Sequence, residues 1–233
     1  MDDQSTPVLP THVGLILDGN RRWAKDHGLP TFEGHRRGYD QFKDVTKYAI
    51  NKGVKYVSAF IFSTENWDRT KDEVNYLMRL ALHMLTKDIA ELNKENIKVV
   101  WLGSPDRLSK KLLAAIKNAE ESTKNNTRGT VCICFNYGGY QEIIDSFKKI
   151  IMEKIPADKV DIETIKQSLY APPIPPIDLL IRTSGEKRIS GFMLWRMAYA
   201  ELYFSDKYWP DFSNEDLDLA LEDYYKRERR FGH

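Results

Sequence analysis

The chain has 233 residues, enough for one large α/β domain with its own core. Lysine plus arginine number 35 and aspartate plus glutamate 34, so the formal net charge of +1 gives no general pull toward nucleic acid or an acidic membrane face. Two cysteines only two positions apart, and no apolar run near the ~18 residues of a membrane helix, exclude a disulfide scaffold and a helical membrane span.

In chain order, residues 1–11 are polar and acidic and lack the basic and apolar regions of a secretion signal. They are expected to be a flexible N-terminal segment of a cytoplasmic protein. Strands are predicted at "HVGLIL", "VKYVSAFIF", "IKVVWLG", "TVCICFN", "IDLLIR" and, with a weaker pattern, "AELYF". These runs are short, rich in β-branched residues and continuous rather than alternating, as strands buried on both faces read. Cys132 and Cys134 share one face of the fourth run.

Helices are predicted between them. One starts near Arg21 and ends at Gly28 and Pro30. Phe42, Val45, Ala49 and Ile50 recur at helical spacing up to Gly53. A helix is expected from Asp72 to about Asn96, with Val74, Leu77, Leu80, Ala81, Leu85 and Ile89 on one face. Two more run over Ser109 to Glu121 and Gln141 to Glu153. "PPIPP", Pro172 to Pro176, must be loop. The alternation predicts a single α/β domain over 1–233, a mainly parallel sheet of about six strands flanked by helices.

Ligands bind such sheets beyond the carboxyl ends of the strands. Those ends deliver Asp18-Gly19-Asn20-Arg21-Arg22, then Ser63 to Arg69, then Asn136-Tyr137-Gly138-Gly139, then Arg182 to Arg188. Gly19 and Asn20 permit a tight turn, and a helix start with Arg22 beside it suits a phosphate. Asp18 repels a bare phosphate and makes sense if a divalent cation bridges the two. The plainer alternative has Asp18 capping the helix and the arginines in solvent. Ser63 and Asn66 offer hydrogen bonds and Arg69 a cation, or Ser63 caps a helix with Trp67 in the core. Gly34 and Gly38 flank His35 and would let another surface approach closely. Arg182, Ser184, Arg188 and Ser190 read as a second oxyanion site or as an exposed loop. There is no HExxH, no Gly-x-Ser-x-Gly elbow and no Walker pattern, so zinc, serine-hydrolase and P-loop chemistry are poorly supported. Two phosphate sites and one acid suggest a reaction between two phosphorylated substrates.

Together "HVGLILDGNRRWAK", "GHRRG", "FSTENWDR", "NYGG", "IRTSGEKRISGFMLWRMAYAELYFSDKYWPDF" and "RERRFGH" resemble the cis-prenyltransferases, the undecaprenyl diphosphate synthase family, in order from about His12 to His233. The resemblance implies condensation of isopentenyl diphosphate with an allylic prenyl diphosphate, forming a cis double bond, with Mg2+ as cofactor. It implies a homodimer and leaves open a peripheral membrane contact for product release, while the near-neutral charge balance argues against a nucleic-acid partner. Asp18 aligns with the metal-binding aspartate, and Glu201 with an acidic residue near the metal. Gly19, Asn20, Arg21, Arg22, Trp23 and His35 align with the allylic diphosphate site. Ser63, Asn66, Trp67 and Arg69 align with the catalytic loop, where Asn66 assists proton removal. Arg182, Arg188 and Ser190 align with diphosphate-binding residues. Arg230-Phe231-Gly232 resembles a terminal Arg-x-Gly that reaches a partner's site.

The resemblance also implies an apolar tunnel, with Ile61, Leu77, Leu80, Ala81 and Phe135 in its wall. Many long-chain members have alanine where Ile61 stands and a small residue where Phe135 stands, so a short or medium product is expected. Thr31 stands where the family often has arginine. That departure keeps irregular, branch-to-branch coupling as an alternative. A non-catalytic subunit of the same fold is a further alternative, against which the intact Asp18 motif and the terminal Arg-x-Gly argue.

Overall fold

The computed structural model describes residues 9–227. Among these, six strands form one wholly parallel sheet: β1 (His12–Ile16), β2 (Tyr56–Ser63), β3 (Ile97–Leu102), β4 (Gly129–Tyr137), β5 (Leu179–Arg182) and β6 (Glu201–Phe204). Their spatial order is β3-β4-β2-β1-β5-β6. In the centre, Val13 stands beside Val57 on one side and Leu179 on the other. β1 and β5 are buried at every position. That explains their unbroken apolar runs, because helices and loops cover both faces of the sheet.

The helices are α1 (Asn20–Asp26), α2 (Thr31–Lys52), α3 (Lys71–Lys87), α4 (Ile89–Lys94), α5 (Lys110–Thr123), α6 (Gly139–Met152), α7 (Ile162–Ser168) and α8 (Asn214–Tyr225). One apolar layer joins Phe42 and Val45 of α2, Leu77 and Leu85 of α3, Leu112 of α5 and Leu217 of α8 to the sheet. The other packs Ile174, Phe192 and Met193 against Leu102, Cys132 and Cys134. Both cysteines are buried, reduced and on one face, as the strand period requires. Arg196 and Glu142, both almost fully buried, pair at 2.7 Å in this second layer. Arg196 also donates to the carbonyls of Tyr170 and Ile174, which fixes the proline-rich loop against the sheet.

Two expectations are corrected. Residues 9–11 are anchored, not loose: Leu9 packs on the core, the Thr11 amide donates to Asp178 at 2.9 Å, and the Thr11 carbonyl accepts from Lys55 and Tyr56. The single helix expected from Asp72 to Asn96 is two helices, α3 and α4, parted at Asp88. Near the junction the Thr86 hydroxyl donates to the Leu82 carbonyl at 2.7 Å, a side-chain competitor for a helix carbonyl. Asp88 itself turns to Tyr39 of α2, whose hydroxyl donates to it.

Candidate active site

The carboxyl ends of β1, β2 and β5 open onto one cleft of about 870 Å³. It begins at β1. Gly19 stands before α1 at φ +107°, a conformation that glycine adopts without strain. A Cβ there would also lie 2.8 Å from the Tyr208 ring. The cap of α1 is therefore Gly19, with no side-chain hydrogen bond, and Asp18 is left free of the capping role considered for it. Asn20 then packs into α2 at two glycines. A Cβ on Gly34 would lie 2.0 Å from the Asn20 carbonyl oxygen, and one on Gly38 would lie 2.2 Å from Asn20 Oδ1. This close approach carries His35 to the cleft wall.

Asp18 faces guanidinium groups from two elements. Its Oδ2 accepts from Arg182 Nη2 at 2.7 Å, and its Oδ1 from Arg22 Nη2 at 3.2 Å. Partial burial works against ionisation, but the Arg182 hydrogen bond and charge, with Arg22 behind them, outweigh it and hold the carboxyl below its usual range. Arg182 is nearly fully buried, and its Nη1 donates to Ser190 Oγ at 2.8 Å and to the Arg188 carbonyl. The loop after β2 adds Ser63, Asn66 and Arg69. Its turn is a reciprocal cap in which the Ser63 amide donates to Asn66 Oδ1 at 3.1 Å. The whole set faces one space: Asp18, Gly19, Asn20, Arg21, Arg22, His35, Ser63, Asn66, Arg69, Arg182 and Ser190 all line the cleft, as does Thr31.

Other expected residues lie elsewhere. Trp23 turns outward, stacks on His27 and donates to Asp211 at 2.8 Å. Trp67 packs edge-on against Phe62 and donates to Asn136 Oδ1 at 2.7 Å, so it anchors the loop rather than lining the cleft. Asn136, expected at the rim, is buried and spends its amide on the carbonyls of Ser104 and Asp106. The Arg188 guanidinium pairs with Glu186, and only its backbone carbonyl touches Arg182. Glu201 begins β6 beside Leu179, at the opposite end of the strands from Arg182 and Asp18, and pairs with Arg227 at 2.9 Å. Within one chain it is not a companion of Asp18. Arg230 and Gly232 lie outside the described residues.

One carboxylate, Glu73, escaped the sequence reading, and a second, Glu186, lay within the Arg182 to Arg188 stretch with no role assigned to it. Glu73 accepts from His35 Nε2 and from Arg69 Nη1, each at 3.0 Å, and stands 3.8 Å from Arg21 Nε. Burial works to raise its pKa, yet the His35 bond and the charges of Arg69 and Arg21 prevail and hold it low. Its only sequence signal, Thr70-x-x-Glu73, reads as a helix cap. Thr70 does accept from the Glu73 amide, but the Glu73 side chain turns into the site. Glu186 bridges Arg22 at 3.0 Å and Arg188.

The five residues expected in a tunnel wall, Ile61, Leu77, Leu80, Ala81 and Phe135, line one mostly apolar pocket of about 60 Å³. It shares Leu17, Asn20, His35, Phe60 and Ile61 with the cleft. A polar, cationic cleft over a small apolar pocket suits an amphiphile with an anionic head.

The chain matches the family model described as "Putative undecaprenyl diphosphate synthase" over residues 16–232. It is 46% identical over 226 residues to an isoprenyl transferase of Thermotoga maritima, covering 96% of this chain and 97% of the relative. The chain belongs to the undecaprenyl diphosphate synthase family. It is thus a prenyl transferase, and its six-stranded parallel sheet is that of the family. It is also 42% identical to a trans,polycis-polyprenyl diphosphate synthase ((2Z,6E)-farnesyl diphosphate specific) of Thermobifida fusca, over 97% of this chain and 81% of the relative. The crystal structure of lavandulyl diphosphate synthase from Lavandula x intermedia, in complex with dimethylallyl diphosphate, matches with a TM-score of 0.92 at 35% identity, over 97% of this chain and 99% of that one.

Members of the family are generally metal-dependent, and the donor set here suits a metal carried in with a diphosphate. Asp18 is ionised and faces the cleft. No group of three or more His, Cys, Asp or Glu among the described residues forms a closed metal cage. Magnesium typically takes one or two carboxylates and completes its shell with phosphate oxygens and water, so one carboxylate among arginines fits it.

Proposed function

We propose that this enzyme condenses isopentenyl diphosphate with an allylic prenyl diphosphate, head to tail with a new cis double bond, in a magnesium-dependent reaction giving a short or medium polyprenyl diphosphate. The observation that carries the reading is the shared wall of the cationic cleft and the apolar pocket, which matches a diphosphate head and a hydrocarbon tail. Arg22 and Arg182 reach Asp18 from α1 and β5, so a diphosphate between them meets fixed donors as negative charge builds on the leaving oxygen. Magnesium, held by Asp18 when bound, adds charge neutralisation to that leaving group. Ser63 and Asn66 are held by their mutual cap, which fixes the Asn66 side chain at the cleft wall, and there it would assist proton removal from isopentenyl diphosphate. Phe60 and Ile61 floor the cleft and keep water from a carbocation-like centre.

Incubation with magnesium, isopentenyl diphosphate and allylic starters of several lengths, followed by mass analysis of the lipids, tests this. Cis-prenyl diphosphates of few isoprene units are expected. Asp18→Ala should keep the fold at reduced stability, because the buried Arg182 loses its carboxylate partner, and should lose turnover by about three orders of magnitude. Ile61→Ala with Phe135→Ala should lengthen the product. Absence of any prenyl product with every starter would sink the reading. Thr31 lines the cleft at the place where the family often has arginine, so irregular coupling is the second reading, and fragmentation of the product separates the two. The enzyme is further proposed to act in the cytoplasm as a homodimer. Tyr140, Ile144, Phe147 and Ile151 form an exposed apolar stripe at helical spacing on α6, which supports a covered face.

A further inference from the structure

At the amino ends of the strands, roughly 20 Å along β2 from Ser63, lies another cavity, of about 400 Å³. Its floor is one register row across three strands. Lys98 of β3 stands beside Thr130 of β4, which stands beside Tyr56 of β2, and all three line the cavity. Neighbouring strands are about 4.8 Å apart, so the row offers polar groups over roughly 10 Å. Val100, on the same face of β3, and Pro173 and Ile174 of the proline-rich loop add apolar walls, and Lys117 of α5 stands at the rim. Among the described residues the Lys98 and Lys117 ammonium groups form no ion pair, and the Thr130 and Tyr56 hydroxyls no hydrogen bond. The loop wall is held under strain. Ala171 has φ +44°, and its carbonyl accepts from the Ile174 amide at 3.1 Å and from Arg196 Nη2 at 3.2 Å. Backbone strain in a non-glycine residue collects at ligand sites. β3 is an edge strand, but its open edge is already used. The Val99 amide donates to Thr123 Oγ1 at 3.0 Å, the Trp101 amide to Glu120 Oε1 at 2.9 Å, and the Ile97 carbonyl accepts from Asn126 at 2.8 Å. That closes the edge to an added peptide strand and leaves the cavity to a small ligand.

We propose that this cavity is a second binding site, for a phosphate monoester carried on a single flat ring, with the phosphate between Lys98 and Lys117 and the ring against Val100 and Ile174. Two ammonium groups and the Thr130 hydroxyl are unspent donors that match three phosphate oxygens. The 10 Å row matches the length of one ring with a phosphate, and the volume lies within the range of small-molecule sites. The opposing charge is small. Glu121 is paired with Lys124, and Glu120 alone faces the two free lysines. Burial raises the Glu120 pKa against the pull of the Trp101 hydrogen bond and of Lys98, which weakens its repulsion.

Phenyl phosphate titrated into the 15N-labelled native protein and followed by amide NMR tests this, because each site reports through its own residues. The amides of Val100, Thr130 and Ala171 should shift together and saturate with one Kd. Inorganic phosphate and phenol, the two halves of the probe, should each bind there roughly tenfold more weakly or worse. Lys98→Gln with Lys117→Gln should weaken phenyl phosphate at these amides by about tenfold or more, the scale of losing charge-assisted hydrogen bonds. Lys98→Arg with Lys117→Arg keeps both charges and should hold the affinity within a few-fold. Glu120→Gln keeps an acceptor for the Trp101 amide, removes the charge and should tighten binding severalfold. Shifts confined to residues of the cleft at the other end of the strands overturn the proposal. So does an affinity at Val100, Thr130 and Ala171 that the glutamine pair leaves unchanged, or inorganic phosphate binding there as tightly as phenyl phosphate.

Discussion

At Glu73 a single carboxylate with 8% exposure meets His35 and Arg69 at 3.0 Å each and Arg21 at 3.8 Å, gathering cations from α1, α2 and the loop after β2. A buried carboxylate with that many partners aligns them, because each must satisfy it in a fixed direction. Glu73→Gln keeps the shape and removes the charge. Stability should fall by about 1–3 kcal/mol, the cost of leaving a buried polar partner poorly matched. Turnover should fall roughly 10- to 100-fold as Arg69 and His35 lose their common anchor. Glu73→Asp should recover part of it. Steady-state kinetics beside a melting curve checks both numbers, and native turnover in Glu73→Gln would dismiss the role. Asp18 shows the complementary case. Its acid character was legible as an unusual charge at a strand end, whereas its two guanidinium partners come from positions 22 and 182 and no local pattern joins them.

At the scale of elements, strand and helix periodicity located all six strands and most helices, because burial on both faces leaves an unmistakable apolar run. The break between α3 and α4 was not legible. Apolar spacing continues through it, and only Thr86 and the reach of Asp88 to Tyr39 reveal why the helix stops. The α1–α2 contact was half legible: the flanking glycines announced a close approach without naming what approaches. The partner is the Asn20 backbone, which has little room to yield. Gly34→Ala would place a Cβ 2.0 Å from that carbonyl oxygen. Overpacking of this kind costs about 1–3 kcal/mol or more. Thermal melting should show the loss. Activity should fall as well, since α1 carries Arg21 and Arg22. An unchanged melting temperature would mean that α1 rests on α2 more loosely than this.

For the whole molecule, the parallel order β3-β4-β2-β1-β5-β6 places the ends of β1, β2 and β5 side by side at the centre of one rim, so three distant loops form one cleft. The same topology sends Glu201 to the other rim. The stripe of Tyr140, Ile144, Phe147 and Ile151 on α6 is about half exposed or more at every position. Replacing Phe147 and Ile151 together by glutamate should convert a dimer to monomers in sedimentation at micromolar concentration, with the melting temperature of the monomer little changed. A native chain that is itself monomeric would place the function of that stripe elsewhere.

The amino-acid order by itself determined the α/β class, the strand positions and the short polar segments that carry the chemistry, because hydrophobic period and turn chemistry act over a few residues. Only the tertiary structure decided that Glu73 joins the site, that Trp23, Trp67 and Glu201 stand apart from it, and that Ile61, Leu77, Leu80, Ala81 and Phe135 meet around one small apolar pocket beside the cleft. Those outcomes depend on side chains from remote elements competing for the same space and the same charge, and that competition is settled only when the sheet and its helices pack.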